Sequence, residues 1–197
     1  MVVLLTAVTM VVEIFFGLRT NSMALLADGI HMGSHVLAIG LSWVAYIFVR
    51  KANTSKSFTG NPDKILSLSG YSSGLLLISF ALLILIEAIQ RFFSPAEIRY
   101  GEAMIVAFTG LIVNIISAII LHHEAEESDH NIRSAYLHVV ADALTSITAI
   151  AGLTAVLVWN ITWLDTIAGI LGSLLIIRWA VKLLSDSGSV LLDMKKK

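Results

Sequence analysis

Residues 65–89 read ILSLSGYSSGLLLISFALLILIEAI, with one charged side chain, Glu87. Wound as an α-helix at 1.5 Å per residue, the stretch is about 37 Å long, enough to cross the ~30 Å hydrocarbon core of a bilayer. Comparable runs fill most of the chain on either side. Six spanning helices are expected, at 1–18, 22–49, 65–92, 102–122, 132–158 and 163–184. The first, MVVLLTAVTMVVEIFFGL, lacks a basic leading region and carries Glu13, so it reads as a span and not as a signal peptide. Pro62 and Pro95 both fall between runs, where a helix breaker costs nothing. The fold class is therefore an all-α membrane protein of six transmembrane helices.

Composition agrees. Of 197 residues 57% are hydrophobic and 14% charged, against about 45–50% and about 25% in soluble domains, and mean hydropathy is +0.86. A net charge of −1 and the lack of a basic patch give nucleic acid no purchase. There is no cysteine, which removes disulfides, thiolate ligands and cysteine nucleophiles. Lys and Arg favour both termini in the cytoplasm. Ten of them (Arg50, Lys51, Lys56, Lys64, Arg133, Arg178, Lys182 and Lys195 to Lys197) then lie inside, and three (Arg19, Arg91, Arg99) outside. A cell inner membrane is the expected location. Small residues in the third span (Ser69 to Gly74) and the sixth (Gly169, Gly172, Ser173) allow helices to approach closely.

Ionisable groups inside a bilayer cost from about 3 to over 10 kcal/mol, so they mark function. Here they are Glu13, Asp28, His31, His35, Glu87, His138 and Asp142. The second span holds His31-Met-Gly-Ser-His35 and the fifth holds His138-Val-Val-Ala-Asp142. Each pair is spaced i, i+4 and projects from one helix face. Two such faces supply the four ligands of a tetrahedral divalent site. Imidazole suits zinc, cobalt, nickel and copper, and the carboxylate offsets half the ion's charge. Two other uses exist for the same atoms. They could be core histidines hydrogen-bonded to an aspartate, or His31 and His138 could be axial ligands of a haem, which leaves His35 and Asp142 without a role. An intramembrane metalloenzyme needs an open coordination position, and four protein ligands argue against that.

Asp28 precedes His31 by three residues and His35 by seven, so it shares their face. It either lines a cavity, orients an imidazole, or makes a structural hydrogen bond. Glu13 and Asn114 are candidates to line the same cavity. Glu87 stands one turn before Arg91 and reads as an ion pair. The stretch HHEAEESDH (122–130) places His122, His123 and His130 among four acids. It is a candidate for low-affinity metal capture, or simply a solvated polar loop.

These residues resemble those of the cation diffusion facilitators. The resemblance rests on Asn21-Ser-Met-Ala-Leu-Leu-Ala-Asp28-Gly-Ile-His31, the His138–Asp142 pair, FTGNPDK (58–64), EAIQRFFSP (87–95) and GLIVNIISA (110–118), and it extends over essentially the whole chain. It implies a six-helix, usually dimeric exporter that exchanges a divalent metal for protons. The central site would take two ligands from the second helix and two from the fifth, at positions matching His31, His35, His138 and Asp142. Many zinc exporters of the family have Asp where His35 stands, and the HxxxH form resembles a cobalt and nickel branch. The loop NTSKSFTGNPDK (53–64) has no His, so a second loop metal site is not expected. Most members carry a cytoplasmic domain after the sixth helix, whereas this sequence ends LLDMKKK. The expected organisation is one transmembrane domain over 1–194 and a basic tail at 195–197. No soluble C-terminal domain is expected, and a homodimer would form through membrane helices.

The expected activity is alternating access around Zn²⁺, Co²⁺ or Ni²⁺, with no organic cofactor and no enzymatic chemistry. No Gly-Lys phosphate loop or phosphorylated-Asp signature is present, so a proton gradient must supply the energy.

Overall fold

The structure is a computed structural model describing residues 2–53, 61–125, 130–159 and 161–194; side chains at 2–3, 52–53, 121–125, 130–138 and 141 lie outside the description. Six helices follow one another: α1 Val2–Thr20, α2 Met23–Asn53, α3 Pro62–Phe93, α4 Tyr100–Ala125, α5 His130–Trp159 and α6 Trp163–Leu191. Five of them contain, among the described residues, a stretch long and apolar enough to cross a membrane. The other, α1, has 19 residues and is about 28 Å long. The outward faces carry large apolar side chains, among them Leu83 at 63% exposure, Ile105 at 70% and Trp159 at 66%. Such faces would drive aggregation in water, but against lipid they are the solvated surface. The chain is an integral multi-pass membrane protein.

α2 is central and touches α1, α3, α5 and α6, while α3 pairs with α6, α4 with α5, and α1 with α4. Lipid is as apolar as leucine, so these helices are held by close packing and polar contacts and not by a hydrophobic drive. The seams accordingly use fully buried alanines: Ala81 and Ala180 between α3 and α6, Ala103 and Ala107 of α4 against Leu25 and Leu153. Where α6 meets the start of α2, a Cβ on Gly169 would stand 2.6 Å from that of Met23, so only glycine fits.

One end of the bundle is tied together by polar groups. Asn21, between α1 and α2, adopts φ 60°, a left-handed conformation that asparagine tolerates. Its carbonyl accepts a 2.6 Å hydrogen bond from Arg91 of α3, and its amide donates to the Glu97 carbonyl at 3.1 Å. Ser22 caps α2 by accepting from the Leu25 amide at 3.2 Å. Asp165, fully buried on α6, accepts from the Ser22 hydroxyl at 2.7 Å and from the amides of Met23 at 2.7 Å and Ala24 at 3.4 Å. The first backbone N–H groups of a helix have no partner of their own, and here a carboxylate from 143 residues away serves α2. The expected Glu87–Arg91 pair is present at 2.8 Å.

The helices are longer than their apolar cores. α2 runs to Asn53, α3 starts at Pro62, and α6 extends to Leu191. Pro62 is thus not between helices but in the first turn of α3, behind the N-cap Asn61, where a missing N–H costs nothing. α4 continues to Ala125 and α5 begins at His130, so most of the segment read as a 122–131 connector belongs to helix ends. Hydropathy marks what lies in lipid, and a helix does not stop where lipid stops.

Candidate metal centre

α2 brings His31 and His35 to the face that meets α5, one turn apart. Asp142 of α5 faces them. His31 Nε2 lies 3.2 Å from Asp142 Oδ1, and His35 Nε2 lies 3.6 Å from the same oxygen. One ligand atom from each of the three falls within 4.8 Å of the other two. An ion bound at 2.0–2.1 Å in tetrahedral geometry separates its ligand atoms by about 3.4 Å, and the two observed separations bracket that value. Yet His31 Nε2 and Asp142 Oδ1 make no hydrogen bond. The three atoms converge on a shared point, as a ligand set does. The site is largely buried: the side chains of His31 and Asp142 are 3% exposed and that of His35 21%.

Two contacts hold the rings. His31 and His35 meet edge to face, with centroids 5.3 Å apart and planes at 82°. Trp179 of α6 lies against His31 with a centroid separation of 4.6 Å. The Nδ1 of His31 has no hydrogen-bond partner, so packing against Trp179, and not a carboxylate, orients this ring. Nothing in the sequence pointed to Trp179, whose partner is 148 positions away.

His138 occupies α5 four residues before Asp142, but its side chain lies outside the described residues, as do those of His122, His123 and His130. Asp28 lines a cavity of about 260 Å³ between α2, α5 and α6, together with His31. It is 3% exposed, and neither of its oxygens accepts a hydrogen bond, so it does not orient an imidazole. Asn114 and Glu13, on α4 and α1, are not among the residues that line this cavity. Asn114 donates to Ser146 of α5 at 3.2 Å. Glu13 is fully buried, with both oxygens unpartnered, pressed against the backbone of Gly110 on α4.

A family profile described as the cation efflux transmembrane domain matches residues 1–192. The chain belongs to the cation efflux family. This is the membership that the cation diffusion facilitator resemblance implied. Among curated proteins of the family, one named zinc transporter ZitB from Pectobacterium atrosepticum is 39% identical over 96% of this chain and 59% of its own length. The protein of the same name from Escherichia coli is 37% identical over 95% and 60%. A protein named cadmium, cobalt and zinc/H(+)-K(+) antiporter from Bacillus subtilis is 33% identical over 93% and 59%. This cation efflux chain thus spans about 60% of the length of the curated relatives it matches.

Proposed function

We propose that this chain is the transporting core of a divalent-metal efflux protein, carrying Zn²⁺, Co²⁺ or Ni²⁺ outward in exchange for protons. The observation that carries the proposal is the convergence of His31, His35 and Asp142 at tetrahedral spacing inside a membrane bundle. His138, on the same helix as Asp142, is the proposed fourth ligand. The names of the relatives, with zinc, cadmium and cobalt as cargo and H⁺ among the counter-ions of one, support the same reading. Residues 1–194 form the transmembrane domain in this proposal, with both termini cytoplasmic in a cell inner membrane and two copies paired through membrane helices. Charge supports proton exchange. M²⁺ with one carboxylate leaves +1, and two protons on imidazoles with the same carboxylate leave +1. A low-dielectric cavity favours returning with equal charge, which suggests one to two protons per metal.

The protein is a transporter and not an enzyme. A haem carrier would require iron about 2 Å from the His31 nitrogen, on the side where Asp142 stands at 3.2 Å, and Trp179 covers the ring's face. No macrocycle fits there.

The test is metal-driven proton movement in proteoliposomes holding a pH-sensitive dye. Saturable proton efflux on adding Zn²⁺, Co²⁺ or Ni²⁺ is expected, and none with any of the three would overturn the proposal. Acidifying the metal-loading side should raise the apparent KM, because ligand imidazoles must be neutral to bind. Protons and metal compete for the same nitrogens, so the loss should be reversed by more metal. A KM that stays flat from pH 5.5 to 8 would show that histidines are not the ligands.

His35 is the proposed selectivity lever. His35→Asp adds a charge and shortens the side chain. A d¹⁰ ion without geometric preference tolerates that best, whereas nickel has stronger preferences. The nickel-to-zinc transport ratio should fall about tenfold or more, and an unchanged ratio would place selectivity elsewhere.

A further inference from the structure

We infer that Asp28 and the cavity between α2, α5 and α6 form a second cation site, one that holds a hydrated divalent ion beside the His31–His35–Asp142 centre. The inference rests on the metal-transport reading and adds a staging post to it. Three observations carry it. First, the cavity measures about 260 Å³. A water's share of liquid volume is about 30 Å³, so an ion with six waters needs roughly 200 Å³ and fits with its shell intact. The walls include Ala27 and Gly172, and a side chain at Gly172 would crowd Ala27, with its Cβ only 3.0 Å from that of Ala27.

Second, Asp28 lines this cavity at 3% exposure with both oxygens unpartnered. Buried polar atoms in folded proteins are nearly always satisfied, by protein or by what the site binds. Thr145 donates to the Asp142 carbonyl at 2.8 Å instead, and Ser146, which accepts from Asn114, lies near Asp28 without a hydrogen bond to it. Third, the other polar groups in the wall suit water and not a bare ion. Thr145 and Thr148 both spend their protons on helix carbonyls, at 2.8 and 3.0 Å, so their oxygens offer lone pairs to the hydrogens of an aqua shell. One carboxylate and two acceptor hydroxyls hold a hydrated cation through its waters. His31 belongs to both the cavity and the metal centre, so an ion exchanging waters for imidazoles passes from one to the other across this single residue.

Mn²⁺ distinguishes the two sites, since oxygen ligands and water suit it better than imidazole. The full chain carrying Asp142→Ala, which disables the centre, should bind one Mn²⁺ per chain, counted by loss of the free-ion spin resonance signal. Enhanced water-proton relaxation should show that the bound ion keeps its waters. Adding Asp28→Asn should weaken that binding at least tenfold, and Asp28→Glu should restore it. Cobalt(III) hexammine, whose ligands do not exchange, should displace the Mn²⁺ competitively, a measurement that needs no change at Asp28. Failure of Asp142→Ala protein to bind Mn²⁺ at millimolar concentration, equal binding with Asp28→Asn, or failure of the hexammine to compete would each overturn the inference. Failure of the metal-centre reading is separate: it would appear as absent Zn²⁺ transport by the unsubstituted chain, whatever Mn²⁺ does.

Discussion

Asp142→Ala should reduce metal-driven proton flux in proteoliposomes more than 100-fold while leaving the protein folded. The carboxylate is the only negative group among the three convergent residues, and its Oδ1 is the atom that both imidazoles approach. Without it a divalent ion faces only neutral nitrogens in a largely buried site, where unopposed charge is most costly. Changes to groups that merely support metal ligands cost about 10- to 100-fold, and loss of a ligand that also carries the counter-charge should exceed that. Folding is expected to survive because alanine makes α5 more apolar. The local hydrogen bond from Thr145 goes to the Asp142 backbone carbonyl and not to its side chain, so it remains. Normal flux from Asp142→Ala protein, with circular dichroism unchanged, would remove Asp142 from the site.

The second large effect is expected far from the metal. Asp165→Ala should lower the melting temperature of the detergent-solubilised protein by on the order of 10 °C. The substitution strands the Ser22 hydroxyl and the Met23 and Ala24 amides in a fully buried location. Each unsatisfied buried donor costs about 1–3 kcal/mol, and lipid offers no replacement partner. For a chain of this length 1 kcal/mol corresponds to about 2–4 °C. Asp165→Asn keeps one acceptor oxygen and should lose less. Equal melting temperatures for Asp165→Ala and the parent would show that the cap contributes nothing.

The sequence revealed what depends on spacing within one helix. Apolar runs located the spans, and the i, i+4 rule put His31 beside His35 on one face, where the structure has them. Contacts between distant helices leave no such trace. Asp165 sits in the first turn of α6, where an acid is ordinary because it complements that helix's own dipole, so its service to α2 could not be inferred. Trp179 looks like one more membrane aromatic until α6 lies against α2. Asp28 was placed on the correct face, but whether it bonded an imidazole or faced a void depended on α6, which supplies one wall of the cavity. Most helix ends lie beyond the expected spans, because hydropathy falls before the backbone uncoils.

Glu13 and Gly110 carry a consequence for descent. A Cβ at position 110 would collide with the Glu13 carboxyl, so the two positions are not free to drift independently. A lineage that gains a side chain at 110 must either swing the Glu13 carboxyl aside within its buried surroundings or shorten residue 13, so a change at 110 is easiest alongside a change at 13. Across homologous chains the two columns should therefore change as a linked pair. The intermediate with Glu at 13 and alanine or larger at 110 should be the combination that natural variation avoids.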